Sequence, residues 1–132
     1  VVFIGTGHSL GGGLAQQAAY VSPEVKLVFA FNSSPVTGFF TTKKRQRQQN
    51  SQCLTIYSIE EKGDILSFIR FWTFMVIRLK QNKNNHPQRH ILRFNFKSRA
   101  SAINQHGMDD FTLSLVRYSE KSIGIQKVIT EF

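Results

Sequence analysis

The sequence predicts an α/β fold built on parallel strands, and three observations predict it. Short apolar, β-branched runs recur along the chain, as strands buried on both faces require. Helix-forming segments separate several of them in the order β-α-β-β-α-β-α, which favours parallel pairs. The first run also passes through a cluster of glycines straight into a stretch of Ala, Gln and Leu, a strand-to-helix junction.

The elements follow in order. Val1-Val2-Phe3-Ile4 reads as a buried strand, and Gly11-Gly12-Gly13 leads into a helix over 14–20 that Ser22-Pro23 stops. Residues 26–31 form a second strand, broken by Asn32-Ser33-Ser34-Pro35. Residues 41–52 are polar throughout and read as a solvated basic loop. A third strand covers 54–59, and the chain turns over 60–64. Residues 65–79 are apolar and long enough for a helix. A second polar basic loop covers 80–90, with Asn84-Asn85-His86-Pro87 as a breaker. A fourth strand covers 91–97, placing Leu92, Phe94 and Phe96 on one face. A loop with His106-Gly107 and a helix over 109–118 complete the chain. No internal repeat is present.

Composition sets the outer bounds. At 132 residues the chain has room for one domain, 1–132. Its 41% hydrophobic content excludes the composition of a disordered chain. No charge-free apolar run reaches 18 residues, so no spanning helix is expected. One cysteine, Cys53, excludes an internal disulfide framework and a Cys-based zinc site, and leaves the compartment open. Seventeen Lys and Arg against eight Asp and Glu give a net charge of +9.

Gly7-His8-Ser9-Leu10-Gly11 matches Gly-x-Ser-x-Gly. Between a strand and a helix, this pattern is the setting of a nucleophile elbow. Side chains at the flanking positions would clash with strand or helix, so glycine is needed there. The serine is then held in a strained backbone with its Oγ exposed. The helix start behind it presents amides and a positive dipole end, and the Leu10 N–H is the candidate oxyanion donor. The competing reading is a phosphate-binding turn, of which Gly5-Thr6-Gly7 is a partial echo. Position 10 is Leu where that pattern needs Gly, and no Walker A lysine is present.

The segment Ile4-Gly5-Thr6-Gly7-His8-Ser9-Leu10-Gly11-Gly12-Gly13-Leu14-Ala15 resembles the nucleophile segment of the class 3 lipases, a branch of the α/β-hydrolase superfamily. Phe31-Asn32-Ser33-Ser34-Pro35-Val36 resembles the end of that family's next strand. The resemblance runs along nearly the whole chain in order, with its specific motif in the first fifteen residues. It implies a partial α/β-hydrolase fold, a mostly parallel sheet flanked by helices, with the N-terminal strands missing. This segment would be the C-terminal half of a larger domain. The second oxyanion donor would lie in the earlier half, and lacking one donor lowers the rate on the order of a hundredfold or more. The isolated 132 residues are therefore expected to be weak or inactive as an enzyme, and poorly soluble. The implied function is a serine hydrolase of carboxylic esters of lipids, with no cofactor and no metal. A phospholipase or a bacterial lipolytic effector acting at membranes would use the same residues.

A serine hydroxyl needs a base, and the base an orienting carboxylate, in the chain order Ser, acid, His for this superfamily. Between Ser9 and the later histidines lie Glu24, Glu60, Glu61 and Asp64. Asp64 follows a strand and a glycine and resembles the family's Asp loop, although Ile65 rather than Pro follows it. Glu60 or Glu61 is the runner-up, nearer the strand end. Among the histidines, His8 is the elbow's x residue and packs beside it. His86 sits in a polar loop, and His90 starts a strand. His106, in a loop after the last strand, fits the order best. The predicted triad is Ser9, Asp64 and His106.

Residues 65–79 admit two readings. The simpler is a buried crossover helix. The sharper is an interfacial helix, with Phe68, Phe71, Trp72 and Met75 toward acyl chains and Arg70, Arg78 and Lys80 at headgroups. The run Lys43-Lys44-Arg45-Gln46-Arg47 adds positive charge suited to an anionic membrane. Nucleic acid is a poor partner, because no aromatics interleave the basic run. A catalytically inactive module binding lipid or an anionic surface is the reading from another class. The sequence carries no indication of oligomeric state.

Overall fold

A computed structural model gives the fold, and it describes residues 1–62, 69, 71–73, 75, 87–96 and 108–130, with side chains at all of these but 110 and 123–130. The elements are β1 (Phe3–His8), α1 (Leu10–Val21), β2 (Val25–Phe31), α2 (Lys44–Ser51), β3 (Thr55–Glu61), β4 (Gln88–Phe94) and α3 (Met108–Thr130). The strands form one sheet in the order β1-β2-β3-β4, every pair parallel. The fold is α/β.

Register decides which side chains share a face. Gly5, Val28, Ile56 and Arg89 form one cross-strand row, and Gly7, Ala30, Ser58 and Ile91 another. A Cβ on Gly5 would meet Ala15 of α1, so these rows lie under that helix. Here the core forms: Ala19 and Tyr20 of α1 against Val28, Ala30 and Ile56, closed by Phe39 and Leu54. Burying a side chain such as Val28 or Ile56 contributes about 1.5–3 kcal/mol. The alternate rows, including Thr6-Phe29-Tyr57-His90, lie on the opposite face. Phe29 stacks on Tyr57 and Tyr57 on His90, at centroid distances of 5.3 and 4.8 Å.

A polar ladder ties α1 to the sheet. Gly12, Gln16 and Tyr20, four residues apart, are buried on one side of the helix. Arg89 of β4 donates to Gln16 Oε1 (3.0 Å) and Ser58 Oγ (3.1 Å), and hydrogen-bonds the Tyr20 side chain. Burial raises the Tyr20 hydroxyl pKa, and the Arg89 charge opposes that rise.

Five sequence expectations need correction. The opening strand is not buried: β1 lies at an edge of the sheet, and Val1, Val2, Phe3 and Ile4 are all exposed. Residues 41–52 are not a solvated loop: they contain α2. Four of its polar side chains, Gln46, Arg47, Asn50 and Ser51, bond to backbone carbonyls, while Lys44, Arg45 and Gln49 are exposed. Asn50 Nδ2 donates to the Tyr20 carbonyl (2.9 Å) and Gln46 Nε2 to the Val21 carbonyl (2.8 Å), so α2 satisfies acceptors at the C-terminal end of α1. Arg47 donates to the carbonyls of Phe39 and Thr42, and its guanidinium lies 4.2 Å from the Phe39 ring centroid.

The other corrections concern the second half. Of the loop expected at 80–90, residues 88–90 belong to β4, which ends at Phe94 rather than 97. Gln88 enters the strand because its amide donates to the Leu54 carbonyl (2.9 Å), ahead of β3. Of the apolar segment 65–79, the described residues 69, 71–73 and 75 are helical as expected. They are not buried, since Ile69, Phe71, Trp72 and Met75 are all exposed. The last helix runs to Thr130, well past the expected 118.

Candidate active site

Ser9 stands between the last residue of β1 and the first of α1, with φ 52° and ψ −122°. A positive φ of this kind is rare for an L residue and costs on the order of 1–3 kcal/mol unless its surroundings impose it. The surroundings do. The Ser9 amide donates to the Phe31 carbonyl (3.0 Å), extending β1 by one rung. The Ser9 carbonyl accepts from Gly12 (3.1 Å), Gly13 (3.3 Å) and Ser34 (2.9 Å). Both halves of its backbone are therefore tied to other elements, and the half-buried side chain stands at the turn.

The glycines divide unequally. A Cβ on Gly7 would overlap the Gly11 carbonyl and lie 2.6 Å from the Gly12 nitrogen. Gly12 is as confined, with Ser33 Cβ 2.7 Å from where its own Cβ would be. Gly11 is not: no heavy atom lies within 4 Å of a Cβ there. The expectation that both motif glycines answer to a clash holds for Gly7 and fails for Gly11, and Gly12 and Gly13 are the confined ones on the helix side. Leu10, the expected oxyanion donor, opens α1 and is exposed.

The loop after β2 supports this turn through residues read from sequence as a strand breaker and as part of the family resemblance, with no side-chain role assigned. Gln16 Nε2 donates to Ser33 Oγ (2.9 Å), and Ser33 Oγ to the Ser34 carbonyl (2.6 Å). Asn32 is fully buried at φ 38°, a left-handed conformation that Asn tolerates better than most residues. Its amide donates to the Ile59 carbonyl (2.9 Å), and its Oδ1 accepts from the Glu61 amide (2.7 Å). The signal available in the sequence was an Asn directly after a strand, followed by two serines.

The candidate acids separate. Glu60 pairs with the exposed Arg93, its Oε2 3.3 Å from Arg93 Nε. Glu61, the last residue of β3, is 2% exposed, and its Oε1 accepts from the Phe96 amide (2.7 Å). Glu61 thereby holds the segment leaving β4, the same segment that leads toward His106. Asp64 and His106 lie outside the described residues, as does His86. His8 closes β1 beside Ser9 and is half-buried. His90 is in register with Thr6 but three strands away, about 14 Å across the sheet. That separation removes His90 as a partner for Ser9. Among the described residues, no group of three His, Cys, Asp or Glu is placed to hold a metal ion.

Glu61→Ala is expected to destabilise the chain by about 2–3 kcal/mol, because it opens a cavity at a buried side chain and removes the acceptor of the part-buried Phe96 amide. Glu61→Gln keeps an oxygen at that position and should cost less than half as much. Urea titrations of the two variants check this.

The arrangement at Ser9 places a hydroxyl at a strained strand-to-helix turn, backed by the amides of a helix start. Such a turn can present a nucleophile and stabilise negative charge beside it. No family model matches the chain, and no curated protein or solved structure matches it either.

Proposed function

We propose that the chain carries the nucleophile of a serine hydrolase acting on carboxylic esters of lipids, with an α/β-hydrolase arrangement resembling that of the class 3 lipases. The observation that carries this reading is the backbone of Ser9, φ 52° and ψ −122°, at the junction of a parallel strand and a helix. Maintaining a serine there is costly, and glycine would occupy the position without strain. A phosphate-binding turn would have no use for a strained serine.

In this reading Ser9 Oγ attacks the ester carbonyl, and His106 takes its proton and returns it to the leaving alcohol. Asp64 holds the imidazole in the required tautomer, and Glu61 is the alternative acid at the end of β3. The Leu10 N–H donates to the oxyanion. Water then hydrolyses the acyl-enzyme by the same proton path in reverse. The strand order supports the reading, since the elbow, acid and histidine segments come in that order after β1, β3 and β4 of one parallel sheet.

Labelling tests it more directly than turnover, because phosphonylation needs an activated serine but no complete substrate cleft. An alkyl fluorophosphonate is expected to add one adduct to the purified chain, mapped to Ser9 by peptide mass spectrometry, and none to Ser9→Ala. A folded chain with Ser9 unmodified would sink the assignment.

A further inference from the structure

We propose that the exposed apolar stripe formed by the helical residues 69, 71, 72 and 75 docks the protein on an anionic lipid bilayer. Ile69, Phe71, Trp72 and Met75 are 49%, 60%, 58% and 44% exposed. Ile69, Trp72 and Met75 recur at intervals of three, and Phe71 and Met75 at four, so all four share one side of the helix. Phe71 and Trp72 meet edge to face, with ring centroids 6.5 Å apart. Adjacent large apolar side chains held in water on one helix face mark an interaction surface.

Charge decides which partner the stripe fits. Eight of the seventeen Lys and Arg lie between residues 65 and 108, a stretch with no Asp or Glu at all. A second copy of the chain would bring two such stretches together and repel. Arg89 and Arg93 are engaged within the fold, and an anionic leaflet attracts each of the other six cations by about 1 kcal/mol when it is near the surface. Trp and Phe suit the other half of the contact, since aromatic side chains settle at the boundary between headgroups and acyl chains. No helix among the described residues is long and apolar enough to cross a membrane, and the docking proposed is a surface contact. The proposal stands apart from the assignment of Ser9, because bilayer binding requires no catalysis.

Trp72 is the sole tryptophan of the chain and reports on its own burial. The purified chain is mixed with phosphatidylcholine vesicles containing about 30% phosphatidylserine, and with pure phosphatidylcholine vesicles as control. The expected result is a blue shift of Trp72 emission with the anionic vesicles only, and quenching when the acyl chains are brominated. Raising salt from about 0.05 to about 0.5 M should weaken binding at least tenfold. Phe71→Ser, which keeps the reporter, should weaken it about tenfold. Three outcomes would overturn the proposal. One is no blue shift with anionic vesicles. Another is co-sedimentation without quenching, which places the contact elsewhere. The third is a blue shift that grows with protein concentration in the absence of lipid, which assigns the stripe to self-association.

Discussion

Gly7→Ala is expected to leave the chain unfolded or insoluble, whereas Gly11→Ala is expected to fold as the parent does. The two glycines flank Ser9 symmetrically in the motif, but the fold treats them differently. The new methyl at position 7 would coincide with the Gly11 carbonyl and crowd the Gly12 nitrogen. All of these are backbone atoms of the first turn of α1, so no side-chain rotation relieves the overlap. The helix must move off the strand, and the bonds that the Ser9 carbonyl accepts from Gly12, Gly13 and Ser34 weaken with it. Overpacking plus the loss of part of that set costs at least about 3 kcal/mol. That is a large share of the about 5–15 kcal/mol by which a domain is stable. At position 11 a methyl meets open space. Replacing Gly with Ala there also reduces the entropy of the unfolded chain, so Gly11→Ala should be neutral or stabilising by up to about 1 kcal/mol. Urea midpoints followed by far-ultraviolet circular dichroism decide the matter. Equal midpoints for the two variants would mean that β1 and α1 are not packed as described.

How much of this was legible in the sequence depends on what stabilises each element. Strands β2 and β3 are written in apolar runs because some of their side chains leave water, and β1 is written the same way although Phe3 and Ile4 stay exposed, so composition locates all three to within a few residues. Helix α2 is different. Its Lys-Arg-Gln-Arg-Gln-Gln-Asn-Ser sequence has no apolar stripe, and its anchors are side-chain amides on the last carbonyls of α1. A pattern search for hydrophobic periodicity has nothing to detect in such a helix. The start of β4 was hidden in the same way, since Gln88 and Arg89 enter the sheet through hydrogen bonds rather than burial of apolar area. The stretch at 69–75 shows the converse. Its apolar side chains announce a hydrophobic contact without saying with what, and burial was the wrong default for Phe71 and Trp72.

The site divides along the same line. Gly-x-Ser-x-Gly between strand and helix was readable, because the chain geometry there follows from local sterics. The choice between Glu60 and Glu61 was not, since strand alternation puts them on opposite faces and only register says which is inward. Asn32 was visible as a breaker, but its link from β2 to Glu61 spans 29 residues of sequence. Long-range polar contacts of that kind leave no local signature.

Ser9→Gly is expected to make the chain more stable while removing its reactivity, and Ser9→Ala to remove the reactivity alone. The serine is held at φ 52° and ψ −122°, at a cost of about 1–3 kcal/mol for any residue with a Cβ. Alanine keeps the Cβ and therefore the strain, so its melting temperature should stay close to that of the parent. Glycine releases the strain but gains about 0.5–1 kcal/mol of entropy in the unfolded chain, which offsets part of the benefit. The net gain is about 1 kcal/mol, or about 4 °C in a domain of this size. Both variants should lose fluorophosphonate labelling completely. Wherever esterase turnover of the parent is measurable, both should lose it by ten-thousandfold or more, on the order seen when a nucleophile is deleted from a catalytic triad. The opposed directions matter more than either magnitude. A serine retained at a site where glycine would be more stable is a residue kept for its hydroxyl, and that is what the comparison of glycine with alanine isolates. If Ser9→Gly melts below Ser9→Ala, the backbone at this turn is not strained, and the observation on which the hydrolase reading rests is lost.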